Sequence, residues 1–179
     1  MAAAGRRTPG DPLGRWGAGG AARGPRDATR APGPVTVYLD TSCLLKVLLL
    51  EPESEAVRQT IAGSDEVVVS SLTRLEAEVT LRSGYLGGRY PARQWSAYRE
   101  KLAELLGLAP FRFSSLGGGV FETAITQDRQ AGKTHCRSLD RLHLAAMEEL
   151  GLRRLMTHDE DQAGAASALG YRVDRPGRR

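Results

Sequence analysis

The sequence predicts an α/β protein, a three-layer α/β/α sandwich around a parallel central sheet. Three observations predict it. From residue 35 onward, short β-rich runs alternate with longer helical ones, and strands separated by helices pair in parallel through right-handed crossovers. VTVYL, residues 35–39, is an unbroken apolar run of the kind that a fully buried strand shows. A chain of 179 residues and 19.3 kDa fits one ordinary domain with a full core.

After the first strand, an apolar helix is expected over 41–50. Pro52 in a first helical turn and Gly63 after a last one bracket a second helix, 53–62. VVVS at 67–70 is a strand, and the helix that follows, 71–83, is stopped by Gly84. A helix over 92–106 precedes FRF, a strand at 111–113. The glycines at 117–119 lack the GxGxxG spacing and mark a loop. Helices are expected at 120–131 and 139–150, a strand at 154–157 (RLMT), a helix at 160–169 and a last strand at 171–173. There is no internal repeat.

Residues 1–34 hold eight Gly, five Pro, eight Ala and six Arg, with little apolar bulk. Such a segment cannot offset its chain entropy by burial, so it is expected to be a disordered tail, or the product of an early start codon. The folded domain is assigned to 35–174 and a short basic C-terminal tail to 175–179. Six Arg against Asp11 and Asp27 account for the whole net charge of +4, leaving a neutral body with 19 basic and 19 acidic residues. Global charge therefore gives no support for a nucleic-acid partner. The most apolar stretch, 35–50, is too short to span a membrane and contains Asp40 and Lys46. Two distant cysteines without CxxC spacing argue against a disulfide scaffold or a cysteine-rich zinc site, and a reducing cytoplasm is the default compartment.

Four acids fall where an open parallel sheet binds ligands, beyond the carboxyl ends of its strands. Asp40 ends the first strand, and Asp159 lies two residues past RLMT. Glu76 sits within two turns of the same edge, and Asp140 in the first turn of the 139–150 helix, with Ser138 as its expected N-cap. Taken singly, each is explained by capping or by an exposed helical face. Taken together, two such charges about 5 Å apart repel by roughly 3 kcal/mol at an effective dielectric near 20, so four require a cation among them. Oxygen ligands without a matched His or Cys set select Mg²⁺ or Mn²⁺. Glu78, two residues from Glu76, points about 200° away on the helix and cannot share its pocket. Thr41, Ser42 and Thr157 are candidates to orient water or phosphate, with capping the plainer role for the first two.

YLDTSCLLKVLL, SSLTRLEAEVTLRSG, RSLDRLHLAAMEELG and LMTHDEDQAGAASALGYRV, in this order, resemble a PIN domain of the VapC toxin type. The resemblance covers residues 35–174. It implies a Mg²⁺- or Mn²⁺-dependent endoribonuclease that hydrolyses RNA phosphodiesters with a metal-activated water, its acidic pocket made of Asp40, Glu76, Asp140 and Asp159. It also implies a cognate VapB-type antitoxin and a homodimer. The SSLTxxE spacing selects Glu76, and TxD selects Asp159 over Glu160 and Asp161.

No GxSxG, Walker A or HExxH string is present. His143, one turn past Asp140, is expected to serve a structural hydrogen bond, and Cys43 to be core. Trp95, Tyr98, Leu102 and Leu105 form one helical stripe, for which core or dimer packing is simpler than base stacking. Arg82, Arg89, Arg93 and Arg99 are left as candidates for an RNA groove. A small-molecule phosphohydrolase and a non-catalytic interaction domain are the alternative readings. The absence of a DxD after the first strand weighs against the former, and the presence of all four acids against the latter.

Overall fold

The computed structural model describes residues 34–178. Side-chain alternation along the central strands decides its layering. Val37 and Leu39 of β1 (Thr36–Leu39) share one face with Val67 and Val69 of β2 (Glu66–Ser70), whereas Tyr38 and Val68 turn to the other. The first face is covered by α1 (Thr41–Leu48), α2 (Ser54–Ala62), α3 (Ser71–Leu86) and α4 (Ala92–Leu105). The second is covered by α5 (Gly119–Gln130), α6 (Ser138–Glu149) and α7 (Glu160–Ala168). Fully burying each Val or Leu of these two cores contributes roughly 1.5–3 kcal/mol.

With β3 (Phe111–Ser114), β4 (Arg154–Met156) and β5 (Arg172–Asp174), the strands form one sheet in the order β3-β2-β1-β4-β5, parallel throughout. The chain runs outward from β1 to β2 and β3, then returns to the opposite side of β1 as β4. That reversal opens a crevice beyond the carboxyl ends of β1 and β4.

Three local expectations change. α3 continues through Gly84 to Leu86, because Gly84 serves close packing instead of termination: a Cβ there would lie 2.5 Å from the Tyr90 hydroxyl, which donates to Leu81 O. α2 starts at Ser54, not at Glu53. Glu53 takes a left-handed conformation (φ 65°) as its N-cap and reaches Lys46 at 2.9 Å. The N-cap of α6 is Arg137, with Ser138 already the first helical residue.

The stripe on α4 packs as structure: Leu102 and Leu105 are buried, and Trp95 stacks on Tyr85 with ring centroids 4.8 Å apart. Arg99 lies over Trp95 and pairs with Glu78 at 3.0 Å, which takes Glu78 away from the crevice. Beyond β5, Arg175 reaches Glu160 at 2.9 Å, and Pro176 O accepts from His158 Nε2 at 2.8 Å. The Gly/Pro/Ala/Arg-rich segment read as a tail lies outside the described residues, apart from Pro34. Among the described residues no helix is long and apolar enough to cross a membrane.

Candidate functional site

Asp40 follows β1 directly and caps α1. Its Oδ2 accepts from Ser42 N (3.1 Å), Ser42 Oγ (2.7 Å) and Thr157 Oγ1 (3.0 Å), and its Oδ1 accepts from Gln162 Nε2 at 3.2 Å. Burial pushes this carboxyl up, but His143, Ser42 and Gln162 together hold it below the usual aspartate value. It is therefore a buried carboxylate that stays ionised.

Glu76, on α3, accepts on Oε2 from Thr41 Oγ1 and from His143 Nε2, both at 2.6 Å. The same His143 nitrogen stands 3.5 Å from Asp40 Oδ1. His143 is buried, and its Nδ1 lies 2.8 Å from the Tyr38 hydroxyl, which in turn lies 2.8 Å from Ser70 Oγ. Burial alone drives the imidazole down, but Tyr38, the Glu76 hydrogen bond and the Asp40 charge overcome it and raise its pKa to about 10. His143 is thus the cation between Asp40 and Glu76.

The second pair is bridged differently. Asp140, in the first turn of α6, accepts from Arg137 N at 3.1 Å and Arg137 Nε at 3.0 Å. Asp159, N-cap of α7, accepts from Gln162 N at 2.9 Å and from Arg137 Nη2 at 2.6 Å. Thr157 joins the pairs: its Oγ1 donates to Asp40 and accepts from Asp159 N at 3.0 Å. Gln162 likewise touches both acids.

The four expected acids thus meet on one rim, as two pairs, each bridged by a cation from the chain itself. Among the described residues no three His, Cys, Asp or Glu side chains stand close enough to share one ion. The donor set of Asp40, Asp140 and Asp159 is nonetheless all oxygen, which suits a hard dication, and the Arg137 guanidinium marks where positive charge is bound between two of them.

A family profile described as PIN domain matches residues 37–167. The chain belongs to the PIN-domain family. Among curated PIN-domain relatives, Ribonuclease VapC46 of Mycobacterium tuberculosis (strain ATCC 25618 / H37Rv) is 31% identical over 142 residues, 78% of this chain and 97% of the relative. Ribonuclease VapC47 of M. tuberculosis (strain CDC 1551 / Oshkosh) is 28% identical over 148 residues, 79% and 97% of the two chains. The chain is therefore a VapC-type member of the PIN-domain family. Many solved structures share the fold, and two serve as examples. One is M. tuberculosis VapC20, described as a Sarcin-Ricin loop cleaving toxin (TM-score 0.60, 18% identity, 78% of this chain and 99% of that one). The other is FitAB bound to an IR36 DNA fragment (TM-score 0.63, 16% identity, 80% and 96%).

Sequence reasoning left three contributors to this PIN-domain rim unassigned: Arg137, Gln162 and Tyr38. Arg137 and Gln162 each lie three residues from an acid they serve, Asp140 and Asp159, a one-turn spacing that is visible in sequence. Tyr38 gives only a weaker signal, a hydroxyl inside an otherwise apolar strand. His143 plays the structural hydrogen-bonding role expected of it, and does so at the rim itself.

Proposed function

We propose that this chain is the toxin of a VapBC-type toxin-antitoxin system, an Mg²⁺- or Mn²⁺-dependent endoribonuclease acting at the rim just described. The observation that carries the proposal is Asp40: an ionised carboxylate at the strand-order reversal, tied to Asp159 through Thr157 and Gln162. Asp140 and Asp159 would hold the ion once Arg137 leaves them, with Asp40 drawn in from its place beside Thr157 and Gln162 to complete the set. When bound, the ion polarises the scissile phosphodiester and acidifies the attacking water. Thr157, Ser42 and Gln162 fix the Asp40 carboxylate in place until the ion binds, so its rearrangement precedes the moment of reaction. Glu76, held by Thr41 and His143, orients water at the edge of the site.

Purified protein freed of any partner is expected to cut RNA with Mg²⁺ or Mn²⁺, to leave 5′-phosphate ends and to stop with EDTA. Asp140→Asn is expected to slow cleavage about a hundredfold, or roughly 2.7 kcal/mol. A variant as fast as its parent ends the proposal.

Arg137 competes with the ion for Asp140 and Asp159. Arg137→Gln is expected to tighten Mn²⁺ binding about tenfold in a calorimetric titration: a unit charge about 4–5 Å away acts with about 3–4 kcal/mol at an effective dielectric near 20, and solvent around the exposed Arg137 side chain screens this to about 1.4 kcal/mol. Unchanged or weaker binding places the ion elsewhere. Its guanidinium also indicates how a VapB-type antitoxin would silence the enzyme, by laying a basic side chain over the same carboxylates. Exposed Leu75, Val79 and Leu86 on α3 support a homodimer. Two free, buried cysteines, Cys43 with its thiol pushed up to about 12 by burial and by Asp40, suit a reducing cytoplasm.

A further inference from the structure

A cavity of about 760 Å³ opens between α5 and the stretch that leads into α6. Arg141, on α6, lines it and is only 4% exposed. Its Nε and Nη2 are buried without a hydrogen-bond partner among the described residues. The nearest carboxylate oxygen, Asp128 Oδ1, stands 3.8 Å from Nη2, and its side chain is 66% exposed. A buried guanidinium left in that condition is costly, because a single, mostly exposed carboxylate at 3.8 Å repays only part of its desolvation and two of its nitrogens have no hydrogen-bond acceptor. Nε and Nη2 are closed to solvent as the side chain stands, so their fork, which fits two oxygens of a carboxylate or phosphate, meets an anion once the Arg141 guanidinium turns into the cavity that it lines.

The other walls favour phosphate. Arg129, Arg137 and His135 line the cavity against the single acid Asp128, and Phe121, 58% exposed, offers an aromatic face. Arg137 belongs to two sites at once, lining this cavity and bridging Asp140 to Asp159. An extended polyanion engaged at the rim therefore has a continuous cationic path into the cavity. Arg141 follows Asp140 by one residue, about 100° around the helix, which turns it away from the rim and toward this second site.

We propose that the cavity is a phosphate subsite for the RNA strand, in which Arg141 receives a backbone phosphate other than the one cut and Phe121 stacks on a neighbouring base. The subsite rests on the ribonuclease reading for its ligand, but its anion chemistry stands on Arg141 alone. Arg–phosphate forks and base–aromatic stacking are the two sequence-tolerant contacts by which single strands are held.

The test uses the full chain in EDTA and follows thermal melting with inorganic phosphate, with the 5′-phosphorylated dinucleotide pUpU and with hexaglutamate. Phosphate and pUpU are expected to raise the melting temperature of the parent and to leave Arg141→Met unmoved. Without ligand, Arg141→Met is expected to melt no lower than the parent, since a near-isosteric apolar chain replaces an unpaired buried charge. Should it fail to fold, Arg141→Lys, which keeps the charge and loses the fork, is expected to retain less than half of the shift. In Mg²⁺, the loss of RNA cleavage in the Arg141 variant is expected in KM, by about tenfold, and not chiefly in kcat. Equal phosphate shifts in parent and variant overturn the subsite. A shift that depends on Arg141 together with an unchanged KM, or a larger shift with hexaglutamate than with pUpU, overturns RNA as its ligand. If the parent cuts no RNA while phosphate still acts through Arg141, the ribonuclease reading fails and the anion site survives it.

Discussion

Asp40→Asn is expected to lower RNA cleavage on the order of a thousandfold, about 4 kcal/mol of transition-state stabilisation, and to lower stability by about 2 kcal/mol. The two losses have different origins. Asp40 receives hydrogen bonds from Ser42 N, Ser42 Oγ, Thr157 Oγ1 and Gln162 Nε2, all of them donors. An asparagine turns an NH₂ group toward part of that set, so at least one donor faces another donor, and a buried unmet partner costs about 1–3 kcal/mol. The fold survives such a loss, whereas the charge that attracts a dication does not. Denaturant unfolding and single-turnover cleavage measure the two effects separately. Activity within tenfold of the parent removes Asp40 from the reaction.

The second large effect concerns His143. His143→Leu is expected to destabilise the metal-free protein by about 3–5 kcal/mol, because Glu76 and Asp40 then lose their shared buried cation. The pH dependence carries a definite sign. The folded-state pKa of His143, about 10, lies above its ordinary 6.5, so its contribution is complete below about 6.5 and disappears as pH rises toward 10. Asp40 and Glu76 are lowered from 3.8 and 4.5, so theirs is complete above those values and disappears as pH falls below them. With EDTA present, urea unfolding is therefore expected to show greatest stability between about pH 4.5 and 6.5, with an alkaline decline that vanishes in His143→Leu. A parent profile that stays level from pH 6.5 to 10 leaves His143 neutral and contradicts the assignment of charge.

Local patterning carried most of the architecture. The β1 run, the Asp that ends it, the VVVS strand and the small-residue helix after Asp159 are each short-range signals, and each element formed close to its expected place. What escaped was decided at long range. Gly84 carries the same local signal whether a helix ends there or a tyrosine hydroxyl needs the space, and only the return of Tyr90 over α3 distinguishes them. Asp40, Asp140 and Asp159 were legible as strand-end and helix-entry residues, and Glu76 as a helical acid within two turns of the same edge. Their partition into an imidazole-bridged and a guanidinium-bridged pair was not, because it depends on contacts such as His143 to Glu76 across 67 positions and Arg137 to Asp159 across 22.

An ionised imidazole has no lone pair to offer, and this decides the orientation of protons deep inside the sheet. His143 Nδ1–H must point at Tyr38, so the phenol turns its own hydrogen toward Ser70. Ser70 Oγ, already receiving Thr73 N–H, passes its hydrogen to Thr73 Oγ1 at 3.0 Å, and that hydroxyl donates to Leu39 O. The row of O–H dipoles is aligned in a single sense and finishes on the carbonyl immediately before Asp40. Loss of charge at one ring nitrogen would release the whole row to reverse.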